Sequence, residues 1–290
     1  MAIEIGVGKS AKKFKNKLEA KEYYKKALRK TPKNADLHDN YGELLQEYFK
    51  DYKAAKKHYK KAVSLEPNHY YAHNNLAHLL LDHFDNKSEA LKHYQKDLTI
   101  HPKDDDTHYS CALLLEELEQ PSSARLHYER AVAINPNHYK AHNNLALLLE
   151  REFEDKKKAR FHYKKALKAK PDDIFALNNF GILLMESFDD YDEAEKLFKK
   201  AIKINPNYDT AHNSYASLLI DHLDNPKKAK KYYEKAIKLT PEYDYALLNY
   251  AILLAEEFSE TKEGRKYYLK AIRLNSSLSN KERDKLFKVK

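Results

Sequence analysis

Seven prolines fall at nearly constant intervals. They are Pro32, Pro67, Pro102, Pro136, Pro171, Pro206 and Pro241, separated by 35, 35, 34, 35, 35 and 35 residues. A period of this size, kept over most of 290 residues, predicts stacked structural units, since one unit is too small to bury its own apolar face. Such a chain is one elongated array rather than two globular domains, and the functional question becomes what its repeated surface holds.

The stretch from Tyr139 to Pro171, YKAHNNLALLLEREFEDKKKARFHYKKALKAKP, shows the unit. Ala141, Leu145, Leu148 and Leu149 recur at helical spacing, and so do Ala159, Tyr163, Ala166 and Leu167, which predicts two amphipathic helices. Asp155 stands between them, placed to cap the second helix. Elsewhere Gln120 precedes Pro121 and Asn225 precedes Pro226, with proline in the first helical turn, where no N–H is lost.

Position by position, helix A carries a small residue (Gly42, Ala77, Ala112, Ala146, Gly181, Ala216, Ala251). Helix B carries a small residue (Ala20, Ala55, Ala90, Ala124, Ala159, Ala194, Ala229, Gly264) and then an aromatic (Tyr24, Tyr59, Tyr94, Tyr128, Tyr163, Phe198, Tyr233, Tyr268). This pattern, closed by proline, resembles the tetratricopeptide repeat family over about nine-tenths of the chain. The resemblance implies an all-α, right-handed superhelical solenoid of antiparallel helix pairs, with helix A lining a concave groove and helix B the convex side.

Seven complete pairs are expected over residues 35–275, starting near Ala35, Tyr70, Asp105, Tyr139, Ile174, Asp209 and Asp244. The period of 35 points to an extra residue in the A–B turn, absent from the third repeat. Residues 1–34 are expected to hold an unpaired helix B-like cap over about Ala11–Lys30. Residues 276–290 would form a basic terminal helix, opened by a Ser279/Glu282 capping box and covering the array with Leu286 and Phe287.

The net charge of +9 conceals a division. The first sixteen residues of the seven repeats together carry −19, so the remainder carries +28. Glu47, Asp82, Glu117, Glu186, Asp221 and Glu256 share one register near the end of helix A, with Arg151 the exception. An acid there opposes the helix dipole, so helix stability does not account for the choice. A bland alternative is a solvated helix face. The functional reading is a groove tuned to basic partners.

A second column holds Asn40, Asn75, Ser110, Asn144, Asn179, Ser214 and Asn249. Asparagine is a mediocre helix former, whereas its amide matches the donor and acceptor of one peptide unit. The phrase AHNNLA (Ala72–Ala77, Ala141–Ala146) is similar to repeats of the O-linked N-acetylglucosamine transferases. That resemblance implies an asparagine ladder holding peptide backbones, with no counterpart of the catalytic domain. The alternative is packing between neighbouring helices. The family's carboxylate clamp for chaperone tails needs basic residues where this chain has Asp39, Asn74, Ser110 and Asn144, and only Lys140 fits.

Fifteen histidines suggest metal, but their register does not. His38, His73, His108, His142 and His212 share a position with Leu177 and Leu247, and His58, His93, His127 and His162 share one with Leu197, Tyr232 and Tyr267. Packing is the common requirement, and no metal or other cofactor is expected. Asp97 replaces a helix B alanine and needs a buried partner, with His101 or another histidine the candidates. Cys111 sits at an apolar position as a small hydrophobe, and a single cysteine allows no internal disulfide. Gly6, Gly8, Lys9 and Ser10 mimic the end of a phosphate loop whose first glycine would fall at Ile3, without the α/β unit such a loop requires.

The N-terminus has no apolar core of signal-peptide length, and no run is long enough to span a membrane, so a cytoplasmic, non-catalytic scaffold is expected. Its expected partner is an extended, basic protein segment. The rivals are RNA or another polyanion on convex lysines such as Lys56, Lys57, Lys60, Lys61, Lys230 and Lys231, and self-assembly through the terminal helices.

Overall fold

The computed structural model describes residues 2–6 and 11–288; Gly8, Lys9 and Ser10 of the phosphate-loop mimic lie outside them. Two compact units, Met1–Ala141 and His142–Lys290, divide the chain. The first holds β1 (Ile3–Ile5), β2 (Lys12–Phe14) and α1 (Lys17–Lys30). The helix pairs follow: α2 (Ala35–Phe49) with α3 (Tyr52–Leu65), α4 (Tyr70–Phe84) with α5 (Lys87–Ile100), and α6 (Asp105–Glu117) with α7 (Pro121–Ile134). Helix α8 (Tyr139–Phe153) contains the division. Then come α9 (Lys156–Ala169), the pairs α10 (Ile174–Ser187) with α11 (Tyr191–Ile204), α12 (Asp209–Asp221) with α13 (Pro226–Leu239), and α14 (Asp244–Glu256) with α15 (Thr261–Leu274), and last α16 (Lys281–Leu286). The described residues thus form an all-α repeat solenoid apart from one short hairpin.

In two pairs the helix B aromatic is seen to lie on the small residue of helix A. A Cβ on Gly42 would sit 2.7 Å from the Tyr59 ring, and one on Gly181 would sit 2.6 Å from Phe198. Glycine therefore stands where the backbone approaches the ring most closely. Asp155 and Asn225 cap α9 and α13 by accepting from Lys158 N and Lys228 N, at 3.1 and 3.2 Å. Gln120, before Pro121, makes no side-chain cap bond.

A non-glycine residue with φ between 46° and 56° follows each helix A: Lys50, Asp85, Glu119, Glu154, Asp189, Asp224 and Ser259. The next N–H closes back onto a leucine carbonyl, as in Asp51 N to Leu45 O at 2.9 Å and Asn225 N to Leu219 O at 2.8 Å. In the third repeat the bond runs from Gln120 N to Leu115 O, one residue shorter. The left-handed turn is kept there, and the missing residue falls between Leu115 and the left-handed Glu119.

The expected N-terminal helix is shorter than its apolar pattern suggested. Asn16 caps α1 by accepting from Leu18 N and Glu19 N at 3.0 Å, so the helix starts at Lys17. Ahead of it β1 and β2 pair antiparallel, with Ile3 opposite Phe14 and Ile5 opposite Lys12. Phe14 packs on Tyr23 and Tyr24 of α1, ring centroids 5.4 and 5.7 Å apart, while Gly6 N–H donates to Glu43 Oε2 of α2 at 2.9 Å. The hairpin touches both helices, as the missing helix A would.

At the other end the Ser279/Glu282 box does not form. Asn280 caps α16 by accepting from Arg283 N at 2.9 Å. Ser279 Oγ instead donates to Asp284 at 2.9 Å, an acid that also accepts from Tyr268 OH at 2.5 Å. These two bonds hold the register one residue later. Phe287 is fully buried and stacks on Tyr268 with centroids 4.7 Å apart.

Asp97 is fully buried, and its partner is no histidine, since His101 pairs with Asp104 at 3.5 Å. Asn74 Nδ2 and Thr107 Oγ1 both donate to Asp97 Oδ2, at 3.1 and 2.9 Å, which brings α4, α5 and α6 together. Oδ1 has no partner among the described residues. Burial lifts this carboxyl above its ordinary pKa, against the two hydrogen bonds. A raised acid contributes stability at low pH that is lost as pH rises through its folded pKa. Asp97→Ala, which restores the alanine of the other repeats, is expected to add about 1–2 kcal/mol at pH 7. The gain should shrink at pH 4; urea denaturation at both pH values tests it, and a lower midpoint for the variant at pH 7 contradicts it.

Candidate peptide-binding face

The second, sixth, ninth and thirteenth residues of helix A lie on one face, as the 3.6-residue period requires. The thirteenth position is the acidic column, and all of Glu47, Asp82, Glu117, Glu186, Asp221 and Glu256 are exposed, as is Arg151. Glu117 pairs with Lys87 at 3.2 Å and Glu47 accepts from Gln46 at 3.0 Å.

The sixth position is the asparagine column. Asn40 and Ser214 are buried, while Asn75, Ser110, Asn144, Asn179 and Asn249 are half-buried. Three amides already donate to the residue one register earlier in the preceding repeat: Asn75 to Asp39 at 3.1 Å, Asn179 to Asn143 at 3.3 Å and Asn249 to Asn213 at 3.2 Å. Asn143 Nδ2 in turn donates to Asn144 Oδ1 at 3.0 Å. Each of these three amides thus already spends one N–H on a neighbouring helix. At these three places the column also keys a repeat to its neighbour. Asp39, buried beside Asn75, has its carboxyl pushed up to about 6 by burial.

Members of the two columns meet in one recess in each unit. In the first unit Ser110, Asp82 and Glu117 border a cavity of about 290 Å³ walled by Leu81, Leu113 and Leu114. His78 Nδ1 lies 2.9 Å from Tyr94 OH at its edge. In the second, Asn249, Asp221 and Glu256 border about 150 Å³ walled by Ile220, Ile252 and Leu253, where Ser217 Oγ and Tyr233 OH lie 2.9 Å apart. The recesses differ in charge. Lys87 lines the first and neutralises Glu117. Proline replaces that lysine in α13, and the second recess is lined by Asp221, Glu256 and Glu257 with no basic residue. Burial holds the Asp221 carboxyl above its usual range, with His222 opposing.

Sequence reasoning missed the second position of helix A. Tyr71, Phe175 and Tyr245 stand there, with Phe175 56% and Tyr245 52% exposed. The available signal was a large aromatic in a register otherwise held by Asp36, Asp106, Lys140 and Thr210.

The histidines form pairs. Nδ1 faces Nδ1 in His38–His58 (2.9 Å), His73–His93 (2.8 Å), His108–His127 (3.0 Å) and His142–His162 (2.9 Å). In the first three pairs the helix A ring also turns Nε2 to a proline carbonyl, as His73 does to Pro67 O at 3.1 Å. A carbonyl only accepts, so that ring carries its proton on Nε2 and the helix B ring donates from Nδ1. Burial lowers His58, His93, His127 and His162 to about 4.

Asp105, Asp106 and His138 bring three potential metal-ligand atoms within 4.8 Å. His138 Nδ1 accepts from Ala141 N at 3.1 Å as an N-cap, so its proton sits on Nε2, the atom 3.3 Å from Asp106. That nitrogen offers no lone pair to a metal. Cys111 is buried, its thiol pushed up to about 12, with Sγ 3.8 Å from His127 Nε2.

Repeated antiparallel helix pairs carrying an exposed polar face on helix A define a helical-repeat protein. Residues 35–69, 176–208 and 210–243 match one tetratricopeptide repeat model and residues 111–174 match another. The chain belongs to the tetratricopeptide repeat family. No curated protein matches it in sequence. Among solved structures it is similar to a tetratricopeptide repeat protein of Parabacteroides merdae (21% identity, 92% of this chain and 98% of that one, TM-score 0.65). It is also similar to YrrB, described as a TPR protein with an unusual peptide-binding site (23%, 65% and 95%, TM-score 0.55), and to PilF of Pseudomonas aeruginosa (22%, 71% and 92%, TM-score 0.60). These likenesses show the fold. No helix among the described residues is long and apolar enough to cross a membrane.

Proposed function

We propose that this chain is a non-catalytic protein-interaction scaffold whose helix A face holds an extended, basic segment of a partner. The observation that carries this reading is the recess at α12 and α14, where three carboxylates surround an aliphatic wall without a basic counterpart. A lysine or arginine of the partner lays its stem on Ile220, Ile252 and Leu253 and its charge among Asp221, Glu256 and Glu257. The half-buried asparagines Asn75, Asn179 and Asn249 engage the partner's backbone through their amide oxygens, as the likeness to the transferase repeats suggested. YrrB, with its described peptide-binding site, supports a peptide ligand by analogy of fold.

The polyanion reading has less support. Three of the six convex lysines singled out are engaged within the protein: Lys60 with Glu89 at 2.7 Å, Lys230 with Glu260 at 3.0 Å, and Lys56 over Phe84 at 4.2 Å.

Fluorescence anisotropy with labelled Lys/Arg-rich and Asp/Glu-rich extended peptides tests the proposal. The basic set should bind more tightly, and Asp221→Asn with Glu256→Gln should weaken it about tenfold or more. Tighter binding of the acidic set would sink the idea.

A further inference from the structure

On the helix B side of the first unit, a cleft of about 560 Å³ runs between α5 and α7. Its walls are mostly apolar: Leu98, Pro102, Ala133 and Ile134, the last 36% exposed. Its floor is the His108–His127 pair. One charged side chain lines it, Arg130.

The floor carries no charge to offer. His108 Nε2–H meets Pro102 O at 3.3 Å, His127 Nδ1–H meets His108 Nδ1, and the Cys111 thiol faces His127 Nε2. Every ring nitrogen is thereby engaged, and the pair is a neutral surface. Arg130 makes no ion pair or hydrogen bond among the described residues, while its neighbour Glu129 is taken by Arg125 at 3.2 Å.

The repeat register shows what is unusual here. At the Arg130 position the other complete repeats carry lysine (Lys61, Lys96, Lys165, Lys200, Lys235 and Lys270). At the Ala133 position the four later repeats carry Lys168, Lys203, Lys238 and Arg273. The lysine-rich outer face is therefore interrupted by an apolar trough with a single planar, weakly hydrated cation. Such a guanidinium matches a carboxylate through two parallel hydrogen bonds, which an ammonium cannot do.

From this combination we infer that the α5–α7 cleft docks a second partner segment, one presenting a large aliphatic side chain beside an aspartate or glutamate. The aliphatic group fills the trough against Leu98, Ala133 and Ile134, and the carboxylate pairs with Arg130. This preference is opposite in charge to the one proposed for the helix A face. The inference does not depend on the helix A proposal.

The test uses the full chain and a fluorescein-labelled peptide of leucine pairs separated by glutamates, with a counterpart carrying lysine for every glutamate. The glutamate peptide should bind saturably, Arg130→Glu should weaken it at least tenfold, and Ala133→Gln, which adds bulk without charge at an exposed site, at least fivefold. Lys235→Glu, the same charge change at the same register in the second unit, should leave binding unchanged. Equal weakening by Arg130→Glu and Lys235→Glu would reduce the site to general surface charge and overturn the inference. So would full binding by Ala133→Gln, or no saturable binding up to about 1 mM.

Discussion

Acidification from pH 7 to pH 5 is expected to cost the protein about 3 kcal/mol of stability, most of it from the histidine pairs. His58, His93, His127 and His162 are lowered from 6.5 to about 4, chiefly by burial and then by the partner ring or a nearby lysine or arginine. A histidine lowered in the fold contributes stability that is complete above pH 6.5 and drains away as pH falls toward 4. At pH 5 an unfolded imidazole gains about 2 kcal/mol from its proton, and partial exposure of the folded ring halves the difference to about 1 kcal/mol each. Buried acids oppose the trend. Asp39, raised to about 6, returns about 1 kcal/mol over the same interval. Glu43, Asp97 and Glu150 are raised by burial and act in the same direction.

Three of the four pairs lie in the first unit, which should lose amide-exchange protection before the second. Urea midpoints at the two pH values give the total. His73→Leu with His93→Leu copies Leu177 and Leu197 of the fifth repeat, and should recover about 1 kcal/mol at pH 5 while leaving pH 7 nearly unchanged. Equal wild-type midpoints at both pH values would remove the pairs from the account.

Phe287→Ala is expected to cost about 3–4 kcal/mol, a core-sized effect from a residue three places from the end of the chain. Phe287 packs in a cluster with Leu247, Ala251, Tyr268, Ala271 and Leu278. Losing the ring opens a cavity against Tyr268 and exposes the cluster's outer side. Phe287→Leu fills most of the space and should cost less than about 1.5 kcal/mol. Thermal melts of both variants decide the matter, together with hydrogen exchange in α15. Identical melts for the alanine variant and wild type would show that α16 caps nothing.

The repeat, the helix pairing and most caps were legible because they depend on local spacing: a proline period, apolar residues at helical intervals, an aspartate or asparagine before a helix. The N-terminal hairpin was not. Its strands are three residues each, too short for alternation to outweigh the helical reading of the lysine-rich segment that follows. Asp97 was recognised as anomalous, yet its partners Asn74 and Thr107 come from two other helices, and sequence register does not report which side chains converge across three elements. The acid and asparagine columns were visible as columns. Their meeting in recesses, and the neutralisation of one recess by Lys87, depend on how neighbouring helices A sit side by side.

The seven left-handed residues that follow helix A have a consequence for how the array comes apart. Each holds a side chain where glycine would be unstrained, at about 1 kcal/mol per turn. The cost recurs in every unit and lowers the intrinsic stability of a lone helix pair without touching the surfaces between pairs. In a nearest-neighbour stack, weak units joined by strong interfaces melt together, whereas strong units fray from the ends. The strained turns thus favour cooperative unfolding over peeling.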